Sequence, residues 1–176
     1  MRTPILTPHQ SNPHQMHRGG YMKGNEKIIE HLNARLADEL TAINQYMVHA
    51  EMCDNWNYKK LDEAIEKRAI TEMKHAEKLI ARILFLEGRP VVTKLNKVHI
   101  GAEVPKMHEN DHGAEEYAIK GYNESIQAAV EAGDNGTREL LVSILKDEEE
   151  HIDWIEAQLD QIKQVGAQNY LVEQMD

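Results

Sequence analysis

Residues 71–80 read TEMKHAEKLI, and residues 146–155 read KDEEEHIDWI. Each contains a Glu-x-x-His: Glu72 with His75, and Glu148 with His151. In an α-helix, positions i and i+3 lie about 60° apart around the axis, so each pair projects to one side. Apolar residues continue that side, with Ala76 and Leu79 near the first pair and Ile144 and Ile155 near the second. A charged pair on an otherwise apolar face belongs to a buried site rather than a solvated surface. Met73 points about 130° away from the direction midway between Glu72 and His75, which places it outside such a site.

Around these motifs the chain divides into four helical segments. Between Glu26 and about Trp56 there is no Pro or Gly, and Ile29, Leu32, Leu36, Leu40, Ile43, Met47 and Ala50 recur at helical spacing. Leu61, Ile65, Ala69, Met73, Ala76, Ile80 and Ile83 carry a second helix that stops at Gly88 and Pro90. The short break between them makes the pair antiparallel. Arg89 to Val104 has no helical period and reads as an extended connection long enough to cross the molecule. A third helix is expected from about Pro105 to Ala132, and a fourth from Asp134 or Thr137 to Val165. A short amphipathic helix, Gln168 to Gln174, closes the chain. The fold class is therefore all-α: two antiparallel hairpins joined by one long crossover, the ferritin-like form of a four-helix bundle, plus a short C-terminal helix.

Composition bounds the alternatives. The net charge of −10 disfavours nucleic acid and anionic membrane as partners and favours cations. Cys53 is the only cysteine, so an intrachain disulfide and a multi-thiolate metal site, including an attached rubredoxin module, are excluded. No apolar run approaches the ~20 residues of a membrane span, and a cytoplasmic location is expected. Residues 1–21 contain three of the five prolines among His, Gln, Asn and Gly. They read as a disordered extension preceding a domain over residues 22–176.

The remaining helices each supply a carboxylate. Glu39 lies 33 positions before Glu72, and Glu115 lies 33 before Glu148, so both hairpins repeat one acid-then-Glu-x-x-His spacing. Four carboxylates brought into one interior need protons or cations to offset their charge, and two divalent cations would do so. One imidazole per metal with carboxylates suits iron or manganese, and the pattern matches that of di-iron carboxylate bundles. Tyr46 and Tyr122, each seven residues after an acid, return to nearly the same face, where they either hydrogen-bond a carboxylate or simply pack.

These residues carry a resemblance over nearly the whole chain from Met22. The motifs are MKG at 22–24, DELTAINQY around Glu39 and Tyr46, TEMKHAEKLIARILFLEG at 71–88, DEEEHIDW at 147–154 and QNYL at 168–171. The chain resembles the bacterioferritins. The resemblance implies a ferroxidase that oxidises Fe²⁺ with O₂ or H₂O₂ at a di-iron centre of Glu39, Glu72, His75, Glu115, Glu148 and His151, with Glu72 and Glu148 bridging. It further implies that Met73 is the axial ligand of a haem b shared across a twofold axis, with Leu40, Ile43, Asn44 and Ile70 around it. A 24-subunit shell storing ferric mineral and a ferredoxin-type reductant are implied likewise. Some members carry His and Asp ligands for an additional inner-surface iron; here Lys67 and Thr71 stand at those positions.

Overall fold

The structure is a computed structural model that describes residues 23–175. The expected extension over 1–21, and the Met22 start of the expected domain, lie outside the described residues. Among the described residues five helices follow in order: α1 (Glu26–Asn55), α2 (Lys59–Phe85), α3 (Val104–Glu131), α4 (Asn135–Val165) and α5 (Ala167–Val172). α1 packs on α2 and α3 on α4 as two hairpins, which meet chiefly through α1 and α3. This is the four-helix bundle with one long crossover, closed by a short fifth helix.

The helix ends follow local chemistry. The Asn25 side chain accepts a hydrogen bond from Lys27 N at 2.9 Å and caps α1, and Asp134 accepts from Thr137 N at 3.0 Å and caps α4. α2 ends at Phe85, three residues before the glycine where the pattern predicts its stop. The left-handed residue there is Glu87, with φ of 60°, and the Gly88 N–H donates back to Ile83 O at 2.8 Å. Gly88 serves close approach instead: a Cβ on it would lie 2.8 Å from Ile29 Cγ2.

The interior is split into two apolar clusters. One gathers Leu32, Leu36, Leu79, Ile83, Leu141 and Ile144; the other gathers Ala50, Cys53, Leu61, Ile65, Met107 and Tyr170, with α5 as its cover. Between them lies a belt of buried polar side chains drawn from all four long helices.

Among the described residues the crossover has no strand partner, so its backbone groups need other ones. They find side chains of α1. Val91 N donates to Asn33 Oδ1 (2.8 Å), Asn96 N to Thr41 Oγ1 (2.8 Å), His99 N to Gln45 Oε1 (2.8 Å) and Gly101 N to His49 Nε2 (3.0 Å). Gln45 and His49 are held in turn by Asp111 of α3, at 2.8 and 3.1 Å. The extended segment therefore runs along α1 in the same chain direction, pinned at intervals to one helical face.

Candidate metal centre

Each long helix contributes to the polar belt: Glu39 from α1, Glu72 and His75 from α2, Glu115 from α3, and Glu148 and His151 from α4. All six are buried, none more than 9% exposed. Their donor atoms form two overlapping groups, Glu39–Glu72–His75–Glu148 and Glu72–Glu115–Glu148–His151, each with its atoms within 4.8 Å of one another. Glu72 and Glu148 belong to both.

The first group is organised around His75. Its Nδ1 lies 2.9 Å from Glu72 Oε2, 2.9 Å from Glu148 Oε1 and 3.6 Å from Glu39 Oε2, while its Nε2 lies 3.0 Å from Asp147 Oδ2. Asp147 thus holds the far side of the ring and turns Nδ1 toward the carboxylates. In the second group His151 Nδ1 lies 2.8 Å from Glu115 Oε1, and the ring stacks on Trp154 at 6.2 Å between centroids.

The tyrosines cross between hairpins. Tyr46 of α1 donates its hydroxyl hydrogen bond to Glu115 of α3, and Tyr122 of α3 donates to Glu39 of α1. Burial pushes both phenols well above their ordinary range, and the facing carboxylates push further, so both stay protonated donors.

Burial likewise raises Glu39, Glu72 and Glu148, and neighbouring carboxylates add to all three. In Glu115 burial works upward too, but the hydrogen bond and charge of His151 outweigh it and draw its carboxyl down. In His75 burial favours the neutral ring, yet Glu148, Glu39 and Glu72 overcome this and raise it. The cluster has more negative charge than the interior tolerates. Three of its buried oxygens, Glu72 Oε1, Glu115 Oε2 and Glu148 Oε1, make no hydrogen bond of acceptable geometry among the described residues. Hard carboxylate donors with unused lone pairs plus one imidazole per group fit divalent iron or manganese.

Two neighbours escape a reading by motif. Asp147 adjoins Glu148, and acids are frequent there. Arg68 sits one turn before Glu72 on the same face, so its i, i+4 spacing was the available signal. Its Nε pairs with Glu72 Oε1, one Nη donates to Glu148 Oε2, and the other donates to Asp147 O at 3.2 Å. Lys67, at one of the two positions where some bacterioferritins have an inner-surface iron ligand, is exposed on α2, and the Thr71 hydroxyl turns back onto Lys67 O at 3.1 Å.

A cavity of about 510 Å³ leads to the cluster between α1 and α3. Asn96, Lys97 and His99 of the crossover wall it on one side, Gly113 and Tyr117 on the other, and Glu39, Glu72, Glu115 and Glu148 reach its floor. On the outer side of α2, Met73 is 52% exposed and Ile70 42% exposed. No described helix is long and apolar enough to cross a membrane.

A bundle with one crossover and a carboxylate–imidazole cluster at mid-height defines a class of protein, and the ferritin-like domain family matches residues 29–165. The chain is 41% identical to a bacterioferritin of Rhodobacter capsulatus and 40% identical to one of Brucella melitensis, each over 149 residues, covering 85% of this chain and 92% of that protein. It is 37% identical over 155 residues to a bacterial ferritin of Synechocystis, covering 88% of this chain and 99% of that one. The chain belongs to the ferritin-like family and, within it, to the bacterioferritins.

Proposed function

We propose that this chain is the subunit of an iron-storing shell and a ferroxidase, oxidising Fe²⁺ to Fe³⁺ with O₂ or H₂O₂ and retaining the product as ferric mineral. The observation that carries the reading is the pair of overlapping four-residue groups sharing Glu72 and Glu148, with three buried carboxylate oxygens left without hydrogen bonds. Two Fe²⁺ ions are the substrate. Glu39 with His75 holds one and Glu115 with His151 the other, while Glu72 and Glu148 bridge them. Each Fe²⁺ loses one electron, so a bound pair delivers the two electrons that reduce O₂ to H₂O₂, or H₂O₂ to water, with two protons taken up from solvent.

The chain's own side chains set the conditions. The cavity under the crossover admits Fe²⁺, and the acidic balance of the protein draws cations toward it. Tyr46 and Tyr122 fix Glu115 and Glu39 by crossed hydrogen bonds, and Asp147 fixes the His75 ring.

Met73 offers an exposed thioether on the outer face of α2, accessible to a haem b held between two copies of the chain. Such a haem would supply one-electron transfer when bound, with a ferredoxin-type protein as its electron source. Family membership supports a homo-oligomeric shell; we take it to comprise 24 subunits in the cytoplasm, with residues 22–176 forming one domain.

The test is stepwise addition of Fe²⁺ in air to metal-free protein, following the fast oxidation phase. It is expected to saturate at about two irons per subunit and to vanish in Glu72→Ala. Oxidation no faster than in that variant would remove the ferroxidase reading and favour a structural or haem-carrying role. Loss of haem from Met73→Leu on purification tests the second site separately.

A further inference from the structure

The two halves of the cluster are not equivalent, because one of them already faces a cation. Glu72 and Glu148 each present one oxygen to His75 and the other to Arg68. Glu72 offers Oε2 to His75 and Oε1 to Arg68; Glu148 offers Oε1 to His75 and Oε2 to Arg68. Arg68 Nη2 also lies 4.0 Å from Glu115 Oε2. The guanidinium therefore stands among three of the four members of the group completed by His151, and touches neither Glu39 nor His75 within ion-pair range. Its side chain is 11% exposed, so it sits near the rim of the bundle with a short way to solvent.

It is also an imperfect occupant. Arg68 Nε lies against Glu72 Oε1 but makes no hydrogen bond of acceptable geometry, and Glu115 Oε2 at 4.0 Å gains charge attraction only. A divalent cation could draw all these oxygens inward; a planar fork on a four-bond stem cannot.

We infer that Arg68 is an internal counter-cation competing with metal for the Glu72–Glu115–Glu148–His151 subsite, so that the subsites fill in order, the His75 side first. The inference rests on the di-metal reading above. One divalent cation beside His75 leaves the four carboxylates and Arg68 still net negative. A second makes the buried cluster net positive unless the guanidinium withdraws. Arg68 is thus a positioning residue: it holds the bridging carboxylates apart and oriented, and its departure is coupled to the second binding step.

The experiment is anaerobic titration of the metal-free full-length protein with Co²⁺, a probe that O₂-free solution leaves unoxidised, read by calorimetry and by the ligand-field absorption of bound Co²⁺. The natural chain should show two steps separated in affinity by more than about tenfold, since a like charge a few Å from a divalent ion weakens it at least that much. Arg68→Gln should bring the second step to within about threefold of the first while leaving the first in place, an effect that lost packing alone would not produce. Two Co²⁺ bound with superimposable isotherms in both proteins would overturn the role of Arg68 while leaving the di-metal reading intact. No Co²⁺ binding that Glu72→Ala abolishes would overturn both. Should Arg68→Gln fail to fold, Arg68→Lys decides: an ammonium cannot span both carboxylates, so the gap should narrow, and an unchanged gap would refute the inference.

Discussion

Two glycines eight residues apart in α3, Gly113 and Gly121, should respond to alanine with opposite signs. Replacing glycine in a helix interior by alanine gains about 1 kcal/mol of helix propensity when nothing else changes. At Gly113 nothing lies within 4 Å of an added Cβ, so the gain should appear. At Gly121 the added Cβ would fall into the Arg35 guanidinium. Arg35 is 6% exposed, pairs with Asp38 Oδ2 at 2.8 Å, donates to Ser125 Oγ at 3.2 Å and lies 5.8 Å from the Tyr122 ring centroid.

Displacing it leaves Asp38 buried without its cation, a loss of about 3–5 kcal/mol set against the ~1 kcal/mol of propensity. The net for Gly121→Ala is a destabilisation of about 3 kcal/mol, or roughly 6–12 °C in Tm for a chain of this size. Gly113→Ala should rise by about 2–4 °C. The assay is thermal unfolding of the assembled protein at one fixed concentration, because assembly contributes to apparent stability. Equal rises in both variants would mean that the α1–α3 contact around Arg35 is not a tight one and would refute the predicted difference in sign.

The thiol of Cys53 is fully buried, and burial, with Asp62 and Asp111 adding to it, pushes it up to about 12; it should stay unreactive toward a disulfide reagent at pH 8 in the native protein and react fully in denaturant. His108 is pushed down to about 4 by burial, its Nε2 facing the Tyr170 hydroxyl and its Nδ1 without a partner among the described residues. The unfolded ring takes a proton near 6.5 while the folded ring does not, so stability should fall by about 3 kcal/mol as pH drops from 6.5 to 4, and His108→Gln should flatten that slope in pH-dependent urea melts. Asp134→Ala should cost about 1–2 kcal/mol by removing the α4 cap and an Arg82 contact at 2.6 Å. The difference from the natural chain should begin to shrink as pH falls below about 4 and disappear only as pH passes through the lower folded value, because the cap and Arg82 depress the Asp134 carboxyl against its burial and the stabilisation is lost on protonation.

The helices were legible because their cause is local. The run without Pro or Gly that carries α1 and the apolar spacing of α2 need no tertiary context, and the short turn between them leaves only an antiparallel pairing. The convergence of Glu39, Glu72, His75, Glu115, Glu148 and His151 was legible because the spacing of 33 residues appears in both hairpins. What the sequence could not show depends on which hairpin face meets which. The crossed tyrosines are an example: each lies on a face with one glutamate and bonds the glutamate of the opposite helix. Arg68 was hidden for the same reason, since an arginine one turn from a glutamate on a charged helix ordinarily forms a solvated pair. Its buried three-carboxylate setting exists only once α3 and α4 are both in place.

The crossover takes its course from Asn33, Thr41, Gln45 and His49, whose side chains stand in for the neighbouring strand it lacks. Its route is thus written largely in another part of the chain, with Asn96 adding a side-chain hydrogen bond to Asp38, and exposed side chains such as Lys97 and His99 are released from specifying where it goes. Lys97 and His99 stand on that segment at the mouth of the cavity. The entrance to the carboxylates can accordingly be retuned in charge or width by substitutions that leave the four long helices untouched, which makes this segment the natural place to alter which cations reach the interior.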